Sequence, residues 1–171
     1  MTPVVNGLDY AVIDADNHYY EPADCFSRHI EAKFRDKAIT ATKRDDESWE
    51  VKIGSKPFDF FDPKFDRTNP PGSLLTILRS KDTNASIKWS DFYSADNMLP
   101  SFQDRDQRLA LMDEQGIEAT IMLPSFGVAV TALMQDDADQ MYANYVSYNR
   151  WIEEEWGYAA DSRIFAPPLI P

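Results

Sequence analysis

"VIDADNHYYEP", Val12 to Pro22, is the stretch on which the reading of this chain turns. An apolar run that begins at Tyr10 ends in an acid, Asp14, and a second acid, Asp16, and a histidine, His18, follow at alternate positions. The chain has only two histidines, so one set two residues after an aspartate asks for a reason. A short apolar run without alternation predicts a strand covered on both faces, here Tyr10 to Asp14. In extended backbone, residues i and i+2 project to the same side. Asp16 and His18, just past the strand, would then bring a carboxylate and an imidazole to one ion. The competing reading is an acidic turn, with Asp14 as its cap and His18 a satisfied, half-buried side chain.

Two further runs read as buried strands: ATIMLP from Ala119 to Pro124, and RIFAPPLIP from Arg163, which its prolines shorten to about Arg163–Ala166. Helices precede and separate them. Ser101 and Asp104 have capping-box spacing ahead of RDQRLALMDEQG, and Gly116 is a natural stop. A second helix is predicted from Asp137 to Tyr158, with Ala138, Met141, Tyr142, Tyr145, Tyr148, Ile152 and Trp156 as its packed stripe. Arg150 and Glu153 to Glu155 would hold its wet face. The order helix, strand, helix, strand is a β/α unit with a right-handed crossover. Between about Phe26 and Pro100 this rhythm breaks. AITATKRDDESWEVKI alternates around a polar tip and reads as a β-hairpin, and FDFFDPKFDRTNPPGS reads as loop. Residues 26–100 are therefore an insertion after the first strand, and their Phe, Trp and Ile predict an ordered excursion with a small core of its own.

The bulk numbers exclude several classes. The 171 residues suffice for a real core, and 43% hydrophobic with 13% aromatic content argues for a folded chain. A net charge of −12 speaks against nucleic acid and anionic membranes as partners. No apolar run approaches the roughly 20 residues of a membrane span. The start MTPVVNGLDY lacks a signal peptide's pattern, and the single cysteine, Cys25, allows no internal disulfide. A cytoplasmic location is expected.

A catalytic metal needs about three protein ligands and an open position; Asp16 and His18 supply two. Calcium fits poorly, because the EF-hand spacing that starts at Asp14 has Tyr19 where glycine is needed and Cys25 where glutamate is needed. Glu21 is a third candidate ligand, against a structural reading in which Glu21-Pro22 opens a helical turn with Asp24 near its N-terminus. His29 reads as a surface residue and Cys25 as packing. Ser125 and Phe126 follow the second strand, at the strand ends where β/α folds gather ligands. They are candidate substrate contacts. No G-x-S-x-G elbow supports Ser125 as a nucleophile.

With these residues in view, VIDADNHYYEP resembles the first-strand motif of the amidohydrolase superfamily, in the amidohydrolase-related branch that includes aminocarboxymuconate-semialdehyde decarboxylase. RDQRLALMDEQGIEATIMLP looks like that family's next helix and second strand, and YNRWIEEEWGYAADSRIFAPPLIP like the helix and third strand after it. The family motif is usually H-x-H; here Asp16 stands at the first histidine and His18 matches the second. The resemblance implies a divalent metal, zinc or manganese, with the oxygen ligand favouring the harder ion. It implies a partial (β/α)8 TIM barrel, about the first three β/α units, with the hairpin-bearing insertion after strand 1.

It also implies hydrolysis or non-oxidative decarboxylation of a small carboxylated, aromatic substrate, with Arg79 in LLTILRSKD as a carboxylate clamp or simply a surface arginine. A full barrel takes ~250 residues, so residues 1–171 are expected to be the N-terminal portion of a longer enzyme, inactive alone. Its open strand edges would make it a homo-oligomer or prone to aggregate. The rival expectation is a non-catalytic α/β interaction domain.

Overall fold

A computed structural model describes residues 10–79 and 89–171, so residues 80–88 of the predicted insertion lie outside the described residues. In chain order the elements are β1 (Val12–Tyr19), β2 (Ile39–Lys43), β3 (Trp49–Ile53), β4 (Lys56–Pro57), α1 (Ser73–Arg79), α2 (Arg105–Gln115), β5 (Ile117–Pro124), α3 (Phe126–Thr131), α4 (Ala138–Glu155), β6 (Ala159–Ala160) and β7 (Ile164–Phe165). One sheet has the order β1-β5-β7-β6, and a second, antiparallel sheet has the order β2-β3-β4. β1 pairs parallel with β5, and β5 parallel with β7. The chain is thus a mixed α/β fold with parallel strands, as the alternation of predicted helices and strands required.

The helix ends follow local chemistry. Asp104 caps α2 by accepting from Gln107 N at 2.8 Å, and Gly116 ends it at φ 69°. The cap is therefore Asp104 itself. Ser101, predicted as the cap, lies in a 3-10 turn at Pro100–Phe102. Asp137 caps α4 through Gln140 N. Its buried face is Ala143, Asn144, Tyr145, Ser147, Tyr148, Trp151 and Ile152. Tyr142, predicted in the stripe, is 57% exposed instead. Trp151, three residues beyond Tyr148, takes the buried place.

Two strands depart from prediction. β1 extends to Tyr19, so Asp16 and His18 lie within it rather than past it, and its register against β5 shifts between Asp14 and Asn17. Three steps on β1, Asp14 to Asn17, match two on β5, Thr120 to Met122. That is a bulge with one extra residue. Among the described residues, only one face of this sheet is covered. Thr120, Met122 and Pro124 are buried, while Ile13 and Ile121 are 63% and 38% exposed. The apolar runs reflect an apolar open face, not burial on both sides. β7 is preceded by the short antiparallel β6, joined by a three-residue connection, Asp161–Arg163, with positive φ at Asp161 and Ser162 and Arg163 N donating to Ala160 O at 2.9 Å.

The hairpin predicted at 38–53 is present, in register from Ile39↔Ile53 to Lys43↔Trp49. It has no core of its own. Ile39, Val51, Ile53, Phe58 and Phe65 belong to one cluster with Tyr19, Met122, Tyr148, Trp151 and Trp156. Phe126 joins the two regions, with ring centroids 5.3 Å from Phe65, 5.7 Å from Phe58 and 6.1 Å from Phe26.

Asn144, fully buried on α4, stitches the hairpin on. Its Oδ1 accepts from Ile39 N at 2.8 Å, and its Nδ2 donates to Lys37 O at 2.9 Å and Gln140 O at 2.8 Å. Asn144→Ala should cost about 1–3 kcal/mol, because it orphans the buried Ile39 N–H, whereas Lys37 O keeps Gln140 Nε2 at 3.0 Å. Tyr142→Ala on the wet face of the same helix should stay within about 0.5 kcal/mol. Urea denaturation of both variants checks this; equal losses would contradict the account.

Candidate functional site

The bulge in β1 is held by its own side chains. Asp14 Oδ1 accepts from Asp16 N at 3.2 Å, and Asp14 Oδ2 accepts from Asn17 Nδ2 at 2.9 Å. Asn17 Oδ1 in turn accepts from His18 N at 2.8 Å. Asp14 is thus the turn cap of the competing reading, and it shapes the strand that carries the other two residues. The extra residue also changes parity. Ile13 pairs with Ala119 on the open face, whereas Tyr19 pairs with Pro124 on the covered one. Without the bulge, Ile13 and Tyr19 would share a face. His18, paired with Leu123, takes the parity of Ala119 and Ile121.

Asp16 and His18 do converge. His18 Nε2 lies 3.7 Å from Asp16 Oδ1, and both side chains are solvent-accessible. His18 Nδ1 lies 3.2 Å from Pro124 O. A carbonyl only accepts, so Nδ1 carries the hydrogen, and a neutral ring then keeps its lone pair on Nε2. Metal-ligating histidines commonly have this backing. Two donors about 2.1 Å from an ion at a tetrahedral angle sit about 3.4 Å apart, a few tenths less than observed. The pair fits one corner of a divalent-ion site. As a plain surface contact it would contribute only about 0–1 kcal/mol. Among the described residues, no three His, Cys, Asp or Glu side chains gather closely enough to hold a metal ion.

Glu21 does not join that corner. It is 3% exposed, and three donors occupy its two oxygens: Phe126 N at 3.0 Å, Gly127 N at 2.8 Å and Tyr148 OH at 2.9 Å. Burial pushes its pKa up, and these donors draw it back in part. The structural reading of Glu21 describes its place, although its partner is the start of α3 rather than a helical turn after Pro22. Gly127 is required there, since a Cβ would meet Tyr148 Oη at 2.9 Å.

Ser125 and Phe126 line a cavity of about 350 Å³ together with Tyr20, Glu21, Lys64 and Arg67. The cavity lies between the ends of β1 and β5 and the 58–74 stretch. Ser125 Oγ donates to Tyr19 O at 2.9 Å, and Tyr20 OH accepts from Thr68 Oγ1 at 2.9 Å. Arg67 is engaged by Asp66 and Glu47, and Lys64 by Asp62 at 2.6 Å. Asp16 and His18 do not line this cavity, and neither does Arg79, which is exposed at the end of α1. His29 meets Glu154 at 2.9 Å on the surface, and Cys25 is buried and free, as read from the sequence.

Arg108 is the residue that sequence reasoning missed. It is 5% exposed on α2, and it donates to Ser101 O at 2.7 Å, Asn17 Oδ1 at 3.1 Å and His18 O at 3.2 Å. Burial lowers its pKa, and Asp14 and Tyr20 offset this in part. Its spacing, four residues before the buried Met112, was the available signal.

No protein-family model matches the chain, and no curated protein matches it. Among solved structures it is similar to an amidohydrolase from Mycobacterium avium subsp. paratuberculosis K-10, at 35% identity and a TM-score of 0.78 over 95% of this chain. The chain spans 43% of that protein's length. No helix among the described residues is long and apolar enough to cross a membrane. The likeness to that amidohydrolase extends over both sequence and fold.

Proposed function

We propose that the whole protein is a metal-dependent enzyme of the amidohydrolase-related, aminocarboxymuconate-semialdehyde decarboxylase-like branch. It hydrolyses or non-oxidatively decarboxylates a small carboxylated, aromatic substrate. The observation that carries the reading is the His18 Nδ1 contact with Pro124 O at 3.2 Å, which leaves Nε2 free beside Asp16. Asp16 and His18 are ligands of a divalent ion, zinc or manganese. Bound there, such an ion polarises a substrate carbonyl or carboxylate oxygen.

Asp16 and His18 stand outside the cavity at the strand ends, so Ser125 and Phe126 would meet the part of the substrate away from the ion, where the aromatic lining, including Phe61, Phe65 and Tyr93, suits an aromatic ring. The open apolar face of the parallel sheet, with Ile13, Ile121 and Phe165, supports a (β/α)8 barrel in which that face points inward. Within the insertion expected at 26–100, residues between Phe61 and Leu74, with Tyr93, wall the cavity. Glu21 and Arg79 are left out of the chemistry, Glu21 because its oxygens are taken and Arg79 because it stands clear of the cavity.

The whole protein, stripped of metal and reloaded with Zn²⁺ or Mn²⁺, should turn over one of two substrate panels. Carbon dioxide release from aromatic acids indicates a decarboxylase, and cleavage of aryl amides or esters a hydrolase. His18→Ala should lower turnover by at least about 100-fold. Turnover indifferent to chelators and to His18→Ala would sink the reading.

Glu21→Gln should leave metal stoichiometry intact while destabilising the fold by about 1–3 kcal/mol, since one backbone donor loses its acceptor. The Glu21 carboxyl is raised above 4.5 in the folded state. Between that value and the raised one, the folded protein holds more protons than the unfolded chain, so stability falls as pH rises. The wild-type margin over Glu21→Gln is therefore greatest at and below pH 4.5 and narrows above it. Urea titrations across that range read the trend, and a margin that widens with pH would reverse the sign.

A further inference from the structure

A buried guanidinium usually finds a carboxylate. Arg108 forms no ion pair among the described residues, and its three hydrogen bonds all go to neutral oxygens. Taking a cation out of water is costly, and a well-packed methionine in the same slot would avoid that cost. What the arginine adds is direction. One donor holds the turn before α2 through Ser101 O, and two hold β1 through Asn17 Oδ1 and His18 O.

Asn17 relays the hold. Its Oδ1 takes both Arg108 and His18 N, and its Nδ2 reaches Asp14, whose other oxygen takes Asp16 N. The bulge is tied at residues 14, 16, 17 and 18, and Arg108 is its buried anchor. Phe102, with its ring centroid 5.7 Å from the guanidinium carbon, closes the other side.

We propose that Arg108 is a positioning residue for the β1 corner: through Asn17 and the His18 carbonyl it keeps His18 Nδ1 on Pro124 O and Nε2 turned to Asp16. The purpose of this device rests on the metal reading above; its geometry does not. The test needs no metal. In the 171-residue chain carrying His29→Gln, where His18 is the one imidazole, ¹⁵N shifts at a pH where the ring is neutral report its tautomer.

The parent should hold the hydrogen on Nδ1. Arg108→Met should relax it to a mixture, and Arg108→Lys should restore it in part. Met112→Ala, buried on the same helix, should lower the melting temperature and leave the tautomer unchanged, which separates positioning from mere stability. If Arg108→Met fails to fold, Asn17→Ala removes the relay without touching α2 and is expected to give the same mixture. An unchanged tautomer in folded Arg108→Met, or in Asn17→Ala where Arg108→Met does not fold, overturns the proposal.

Zn²⁺ titration of the whole protein then adds a second readout, an affinity lower by about 10–100-fold in Arg108→Met. If the whole protein binds no Zn²⁺ while the His18 tautomer still depends on Arg108, the positioning role stands and the metal reading falls.

Discussion

One buried carboxylate ties three elements of this chain together. Glu21 leaves the end of β1, takes the first two N–H groups of α3, and takes the Tyr148 hydroxyl from α4. The Tyr148 hydroxyl also lies 3.2 Å from Tyr19 OH, so strand, short helix and long helix meet at one polar point inside an apolar cluster. An acid at that depth is tolerable only because donors meet both its oxygens. Alternatives with fewer donors would leave the charge uncompensated, and so the packing there has few ways to rearrange. Ser125 and Phe126 enter the cavity wall at the place this point defines.

The aromatic residues do the remaining work. Tyr19 stacks on Trp156 at 5.4 Å and meets Trp151 edge-on at 5.5 Å, while Phe26 stacks on Tyr148 at 4.6 Å. Burying side chains of this size contributes about 1.5–3 kcal/mol each. Phe126 carries the same cluster across to the hairpin, so the cavity is walled by parts of a single packed body. On the hairpin side, Lys43, Glu47, Asp66 and Arg67 form a mesh of ion pairs that pins the 58–67 loop to the tip. Asp66 is held well below the usual carboxylate range by Arg67 first and Lys43 after it.

Much of this was legible in residue order. Apolar runs and capping acids located β5, α2 and α4, and the hairpin announced itself by alternation around RDDES. The Asp16–His18 convergence followed from their spacing. Other features were hidden because they depend on partners far along the chain. Glu21 looked free because its donors, Phe126 and Gly127, lie about a hundred residues away. Arg108 went unread because two of its three acceptors, on Asn17 and His18, are on β1. Tyr142 and Trp151 exchanged roles because the stripe of α4 faces both the sheet and the hairpin, a wider surface than one row of side chains covers. The bulge had no signal short of pairing β1 with β5.

That bulge makes chain length, and not only residue identity, a determinant of what this strand can do. Tyr19 reaches the tryptophans and His18 reaches the opposite side because one surplus residue lies between Asp14 and Asn17. Lineages that lose a residue there would exchange the two, sending a phenol into water and an imidazole into the aromatic cluster. Substitution can explore the chemistry of positions 14 to 18 one side chain at a time, whereas a deletion within them inverts every later side chain of the strand at once.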